Sequence, residues 1–137
     1  MRTLGIDYGD SRVGIAISDV LGITAQGLET IHHNGNDKIV LKRLEEIITE
    51  YKVDVIVIGI PYKLNGDEAD RVEVTKKFIH KLKCKFNKTD IKEIDERLTT
   101  VAAHKTMNFL GVKNKNKKNI VDTISAVYIL ETYMGKK

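Results

Sequence analysis

Carboxylates occupy three unusual places along this chain. Asp7 ends the apolar run of "GIDYGD", Asp95 and Glu96 end a later run just before "RLTT", and Asp122 lies in the apolar stretch "IVDTISAVYIL". Strand ends on one side of a sheet can converge, and a helix packed on that sheet can add a third carboxylate. Such an oxygen-rich pocket suits Mg²⁺, and bound Mg²⁺ suits phosphodiester hydrolysis. The same acids are also compatible with a turn residue, a surface pair and a favourable helix-dipole charge.

Cationic residues lie close to these acids in sequence. Arg12 and Arg97 each follow one of the predicted strand ends, where a guanidinium could hold phosphate oxygens in a bidentate grip. Residues 98–121 contain no Asp or Glu, which favours a polyanion such as nucleic acid as the partner. A solvated lysine-rich loop is the alternative. We predict that the loop of residues 112–119 contacts the phosphate backbone, through Lys113, Lys115, Lys117 and Lys118.

Hydrophobic periodicity predicts the elements that must position these residues. Short runs rich in β-branched residues, separated by Gly, Asp and Asn, predict three strands in an antiparallel meander. Apolar residues at helical spacing predict amphipathic helices in the rest of the chain. The near-continuous run "VDVIVIGI", which stops at Pro61, predicts a central strand buried on both faces. The predicted strands cover residues 3–7, 13–18, 24–31, 53–60 and 91–95, and the predicted helices cover residues 40–51, 68–83, 99–110 and 120–134.

This order, βββ-α-β-α-β-α-α, predicts an α/β fold with a mixed five-stranded sheet flanked by helices. The 137 residues fit a single domain, residues 1–137. No stretch reaches the roughly 18 to 20 apolar residues of a membrane span, and the first residues do not resemble a signal peptide. One cysteine, Cys84, fits a reducing cytoplasm and is interpreted as a packing residue. The pair His32 and His33 has no nearby third ligand, so zinc is not expected.

Four segments resemble, in order and character, the motifs of one known family. They are "GIDYGDSRVGIAISD", "VIGIPYKLNGDE", "DERLTT" and "IVDTISAVYIL". Over essentially its whole length the chain resembles the YqgF family, also called the RuvX family, whose RNase H-like fold is related to the RuvC Holliday junction resolvases. The resemblance implies an RNase H-like fold for this chain. It also implies a nuclease activity that depends on Mg²⁺ or Mn²⁺.

The resemblance further implies which residues carry the chemistry. The family's first-strand Asp falls on Asp7, its "DER" acid on Glu96 with Asp95 adjacent, and its C-terminal-helix Asp on Asp122. These are the implied catalytic residues and metal ligands. Strand alternation points only one of Asp95 and Glu96 towards Asp7, and the sequence leaves open which one.

Three classes of function are compatible with the sequence. The resemblance favours an endonuclease, a monomer or a homodimer, that matures the 5′ end of the 16S rRNA precursor, with Holliday junction cleavage as its rival. A non-catalytic nucleic-acid-binding factor is the second class, and it predicts binding that survives EDTA. An ATP-binding protein of the actin and hexokinase type also begins with an Asp in a Gly-rich hairpin. Those proteins close two domains over the nucleotide, and we expect no second lobe in a chain of this length.

Overall fold

The computed structural model describes residues 2–62, 69–95 and 114–135, with side chains for all of these except residues 69–70 and 114–122. The strands are β1 (Arg2–Tyr8), β2 (Arg12–Ser18), β3 (Ala25–His32), β4 (Val53–Ile60) and β5 (Asp90–Asp95), and the helices are α1 (Asp37–Tyr51), α2 (Ala69–Lys85) and α3 (Asn114–Tyr133). The predicted α/β class is confirmed. The helix predicted at residues 99–110 lies outside the described residues.

All five strands form one mixed sheet in the order β3-β2-β1-β4-β5. Short turns join β1, β2 and β3, which therefore pair antiparallel. β4 lies parallel to β1, and β5 lies parallel to β4, because helical crossovers return the chain between them. As a consequence, β1, β4 and β5 all end at the same edge of the sheet.

Helices α1 and α2 cover one face of the sheet and form the larger core. Alternate residues of the central strands point to this face, where they meet apolar side chains of both helices. Burying each of these large side chains contributes about 1.5–3 kcal/mol relative to exposure. The fully buried members are Leu4, Ile6, Ile15, Leu44, Ile47, Ile56, Ile58, Phe78 and Leu82.

Helix α3 covers the opposite face at very short range. A Cβ atom added to Gly5 would lie 2.7 Å from the carbonyl oxygen of Ala126 and 2.9 Å from Cβ of Leu130. A Cβ atom added to Gly27 of β3 would collide with Cγ2 of Thr123. At Gly5 the nearest atom belongs to the backbone, so only glycine fits there and the backbone of β1 lies directly under α3.

Two sequence predictions are wrong at the level of local structure. Residues 114–119 were expected in a loop, but α3 begins at Asn114. Lysine is a good helix former. Because the second half of α3 is packed on the sheet, the residues before it can join an existing helix and need not nucleate a new one. Cys84 is exposed rather than packed, because it lies on the outer face of α2.

Candidate active site

Asp7 lies at the edge where the parallel strands end. It is the penultimate residue of β1, and β4 and β5 end beside it in the same direction. In α/β folds the crevice outside the carboxyl ends of parallel strands is the usual place for a ligand. The fold thus delivers the first predicted acid to the edge where a ligand is expected.

The side chain of Asp7 belongs to the α3 face. Side chains alternate along a strand, and Gly5 is in contact range of α3, so Asp7, two residues further, faces the same way. Its partners in register are Gly14 of β2 and, one strand further, Thr30 of β3. Gly14 is buried and carries no side chain, and the carboxylate of Asp7 beside it is half-buried.

The middle of α3, around Thr123, lies over this same end of the sheet. Oγ1 of Thr123 is 3.1 Å from Oγ1 of Thr30, which lies in the cross-strand row of Asp7. Ala126 and Leu130 lie over Gly5, one step back along β1. From Thr123 onwards, α3 therefore runs from the edge that carries Asp7 towards the opposite edge. The backbone of Asp122, one residue before Thr123, lies at the edge that carries Asp7.

Asp95 faces away from Asp7. In the register of β4 and β5, Asp95 pairs with Ile60, and Ile91 pairs with Ile56. Ile56, Ile60 and Ile91 all belong to the core beneath α1 and α2, so Asp95 shares that face of the sheet. Asp7 and Asp95 are thus on opposite faces.

Arg12 shares the face of Asp7. It is the first residue of β2, two positions before Gly14, and its side chain is half-buried. The connecting turn is closed by a hydrogen bond of 2.8 Å from the N–H of Gly9 to the carbonyl of Arg12. One face of the hairpin therefore carries both a cation and a carboxylate.

His33 fastens the turn that follows Asp7. It is 1% exposed, and its Nδ1 accepts a hydrogen bond of 3.1 Å from the N–H of Gly35. Nε2 must then carry the proton, which it donates to the carbonyl of Gly9 at 2.9 Å. The N–H of His33 also donates to the carbonyl of Ser11 at 2.9 Å. Sequence reasoning missed this role, and the nearby turn glycines were the only hint of it.

Tyr8 anchors the same turn from the face of the sheet that α1 and α2 cover. Its ring stacks on Phe78 of α2 at 4.2 Å and on His33 at 5.6 Å between centroids. Its hydroxyl donates to Oδ1 of Asp37 at 2.6 Å, and Lys81 donates to Oδ2 of Asp37 at 2.9 Å. Burial, together with the hydrogen bond and the charge of Asp37, raises the pKa of Tyr8 well above its ordinary value.

The remaining predicted site residues are only partly described. Glu96, Arg97 and Lys113 lie outside the described residues, and for Asp122, Lys115, Lys117 and Lys118 only the backbone, in α3, is described. Among the described side chains, no three His, Cys, Asp or Glu residues form a metal-binding group. None of the described helices is both long and apolar enough to cross a membrane.

The fold is that of the RNase H-like resolvases. RuvC from Thermus thermophilus superposes with a TM-score of 0.59 at 15% identity, covering 99% of this chain and 98% of that chain. The fowlpox virus Holliday junction resolvase gives a TM-score of 0.59 at 15% identity, covering 98% of each chain. At this level of identity the likeness concerns the fold alone.

The family model RuvX, described as Holliday junction resolvase, matches residues 1–136. This chain belongs to the RuvX family. A relative from Ruminiclostridium cellulolyticum is 54% identical over 136 residues, covering 99% of this chain and 95% of that protein. A relative from Acetivibrio thermocellus is 49% identical over 137 residues, covering 100% of this chain and 97% of that protein. Both are named "Putative pre-16S rRNA nuclease".

Proposed function

We propose that this protein is a metal-dependent endonuclease that hydrolyses phosphodiester bonds in structured nucleic acid, and that its substrate is the 5′ end of the 16S rRNA precursor in the cytoplasm. The observation that carries the proposal is the position of Asp7. Its carboxylate lies at the carboxyl edge of the parallel strands and faces the helix that bears Asp122. The names of the relatives supply the class of substrate.

We assign the metal ligands to Asp7, Glu96 and Asp122. Glu96 is preferred to Asp95, since Asp95 shares the face of Ile60 and strand alternation favours the following residue for the face of Asp7. A cluster of three carboxylates is strongly self-repelling, so the donor set fits a divalent cation such as Mg²⁺ or Mn²⁺. When bound, the cation would supply an activated water and stabilise charge on the scissile phosphate.

The cationic residues then hold the nucleic acid. Arg12 lies on the same face as Asp7, where its guanidinium can bind phosphate oxygens in a bidentate manner. We assign the same role to Arg97 and to the lysines at the start of α3. Phosphate contacts of this kind position the substrate and carry no sequence information. The assigned lysines are Lys113, Lys115, Lys117 and Lys118.

Holliday junction cleavage is the second candidate. The RuvX model carries the description Holliday junction resolvase, and the fold is shared with RuvC. Both candidates use the same hydrolysis, and they differ in whether the nucleic acid is RNA or branched DNA. Junction cleavage is a two-fold reaction that suits a homodimer, whereas trimming of a single strand suits a monomer.

Cleavage of two substrates by matched variants tests the proposal. A labelled 16S rRNA precursor fragment and a four-way DNA junction are each incubated with Mg²⁺ or with EDTA. Asp7→Asn should reduce cleavage about a thousandfold, which corresponds to ~4 kcal/mol of transition-state stabilisation. The matched control is Asp95→Asn, which removes the same charge from the opposite face and should retain most of the activity.

The two substrates give distinct outcomes. Cleavage of the precursor, abolished by EDTA and by Asp7→Asn, supports the proposal, and cleavage of the junction alone favours the second candidate. Cleavage that persists in EDTA contradicts the metal dependence. If either substrate is bound tightly in the presence of EDTA but is not cleaved, the protein is a non-catalytic nucleic-acid-binding factor and the proposed activity is wrong.

A further inference from the structure

Helix α2 carries six of its basic residues in two rows, with Arg71 outside both. The helix packs on the sheet through one apolar side, formed by Phe78, Ile79 and Leu82. The inner row, which we define as Lys77, Lys81 and Lys85, lies on the side of α1. The outer row, which we define as Lys76, His80 and Lys83, lies on the side away from α1. Spacings of three and four residues place the members of each row on one side of a helix.

The inner row is neutralised by carboxylates. Nζ of Lys81 is 2.9 Å from Asp37, and Nζ of Lys85 is 3.2 Å from Glu45, both on or at the start of α1. Nζ of Lys77 is 3.8 Å from Glu73 of the same helix. The charges of this row are therefore paired within the protein, and the pairs of Lys81 and Lys85 join α2 to α1.

The outer row has no such partners. Lys76, His80 and Lys83 are all exposed, and no carboxylate of the described residues forms an ion pair with either lysine. Glu93 of β5 shares the face of the sheet that α2 covers, yet it pairs with neither of them. Seven residues of helix separate Lys76 from Lys83, a distance of roughly 10 Å. Because neither lysine has an ion-pair partner within the described part of the chain, we take both charges as contacts for an external polyanion.

The outer row starts at the edge of the candidate active site. Nζ of Lys76 lies 5.8 Å from the ring centroid of Tyr62, and Tyr62 follows the end of β4 by two residues. Because β4 and β5 are parallel, α2 must carry the chain from that edge back to the start of β5. The row therefore begins beside the carboxyl ends of the strands and extends away from them along the flank of the sheet.

We propose that Lys76, His80 and Lys83 bind the phosphate backbone of the nucleic acid beyond the scissile bond, as a contact surface separate from Arg12 and the start of α3. The inference rests on the proposed function, since it concerns the same substrate. The two lysines supply charge, and the imidazole of His80 lies between them as a hydrogen-bonding group.

Salt-dependent binding tests this surface without requiring cleavage. All proteins carry Asp7→Asn so that the probes stay intact, and the probes are the labelled precursor fragment and the four-way junction. The test variant K76Q/K83Q is compared with K77Q/K85Q, which removes the same charge from the same helix. Each lost phosphate contact lowers the log–log salt slope by about 0.7 to 0.9. K76Q/K83Q should therefore lower the slope by roughly 1.4 to 1.8, and K77Q/K85Q by less than half of that.

The outcomes separate this inference from the function on which it rests. If the Asp7→Asn protein with both rows intact shows no salt-dependent binding to either probe, the proposed function fails. If it binds but K76Q/K83Q leaves the slope unchanged, or changes it no more than K77Q/K85Q does, the outer row is not a binding surface. Circular dichroism at each salt concentration establishes that both double variants remain folded.

Discussion

The imidazole of His33 holds the carbonyl of Gly9 at 2.9 Å, so the end of β3 is tied directly to the turn that follows Asp7. The bond spans 24 residues of sequence, and the residue that donates it is only 1% exposed. A turn fixed in this way keeps the end of β1 from fraying. The carboxylate of Asp7 therefore rests on a rigid backbone, which a preorganised site requires.

Replacing His33 should loosen the site as well as the fold. His33→Ala leaves the half-buried carbonyl of Gly9 without its partner, at a cost of about 1–3 kcal/mol in the free energy of unfolding. We expect kcat for cleavage to fall while KM changes little, because Asp7 is misplaced but the cationic surfaces are intact. Urea unfolding and steady-state kinetics measure the two effects.

The neighbouring histidine provides the control for this prediction. His32 is exposed, so His32→Ala should change stability by less than about 0.5 kcal/mol. His33→Gln can still donate a hydrogen bond towards Gly9 and should recover part of kcat. Equal kinetics for His33→Ala and wild type would show that the turn holds its position without the ring.

Removing the hydroxyl of Tyr8 should weaken the other anchor of the turn. The hydroxyl donates to a carboxylate at 2.6 Å, and a hydrogen bond to a charged group is worth about 1.5–3 kcal/mol. Tyr8→Phe retains the ring and its stacking on Phe78, so the loss reports on the hydrogen bond. Tyr133→Phe, at an exposed position, should stay within about 0.5 kcal/mol of wild type.

The contribution of Tyr8 should disappear at alkaline pH. Its pKa in the folded protein is raised above the ordinary value of 10.0. Above pH 10 the unfolded chain loses this proton first, so stability falls as pH rises towards the folded pKa. The stability difference between wild type and Tyr8→Phe should therefore be largest near neutral pH and smaller above pH 10. A difference that stays constant with pH would contradict the assignment of the proton to Tyr8.

Adding one methyl group at Gly5 should push α3 away from the sheet. The new Cβ would lie 2.7 Å from the carbonyl oxygen of Ala126, a backbone atom that cannot rotate away. Overpacking of this kind costs about 1–3 kcal/mol, and we expect cleavage to fall with it because α3 carries Asp122. The chain contains no tryptophan, so far-UV circular dichroism in urea is the suitable measurement. Val20→Ala, at an exposed position, serves as the control, and equal stability of Gly5→Ala would refute the close packing.

Much of this fold could be predicted because its strands carry strong local patterns. The run of β4 is apolar except for the exposed Asp54, and its predicted bounds, residues 53–60, are the observed ones. The meander was predictable from the short polar turns between β-branched segments. The position of Asp7 at a strand end followed from the same pattern, and the resemblance to the YqgF or RuvX family is confirmed.

Other features depend on tertiary contacts that local patterns do not encode. The register of β5 against β4 fixes the face of the sheet to which Asp95 points. Without that register, the sequence does not show which of Asp95 and Glu96 faces Asp7. The role of His33 depends on Gly9, which lies 24 residues earlier in the chain. Helix α3 begins as early as Asn114 because it propagates from a packed segment. Its first residues, "NKNKKN", are all polar, so no hydrophobic periodicity in the sequence marks them as helical.

At Gly5 the backbone of β1 lies against a backbone atom of α3, with no side chain of β1 between helix and sheet. In an ordinary core, a different rotamer or a smaller aliphatic residue changes the distance between a helix and a sheet by a fraction of an ångström. Here no side chain of β1 intervenes at Gly5, so repacking the larger core on the other face would leave the height of α3 unaltered. Substitutions in the larger core can thus leave the distance between β1, which bears Asp7, and the helix that bears Asp122 unchanged.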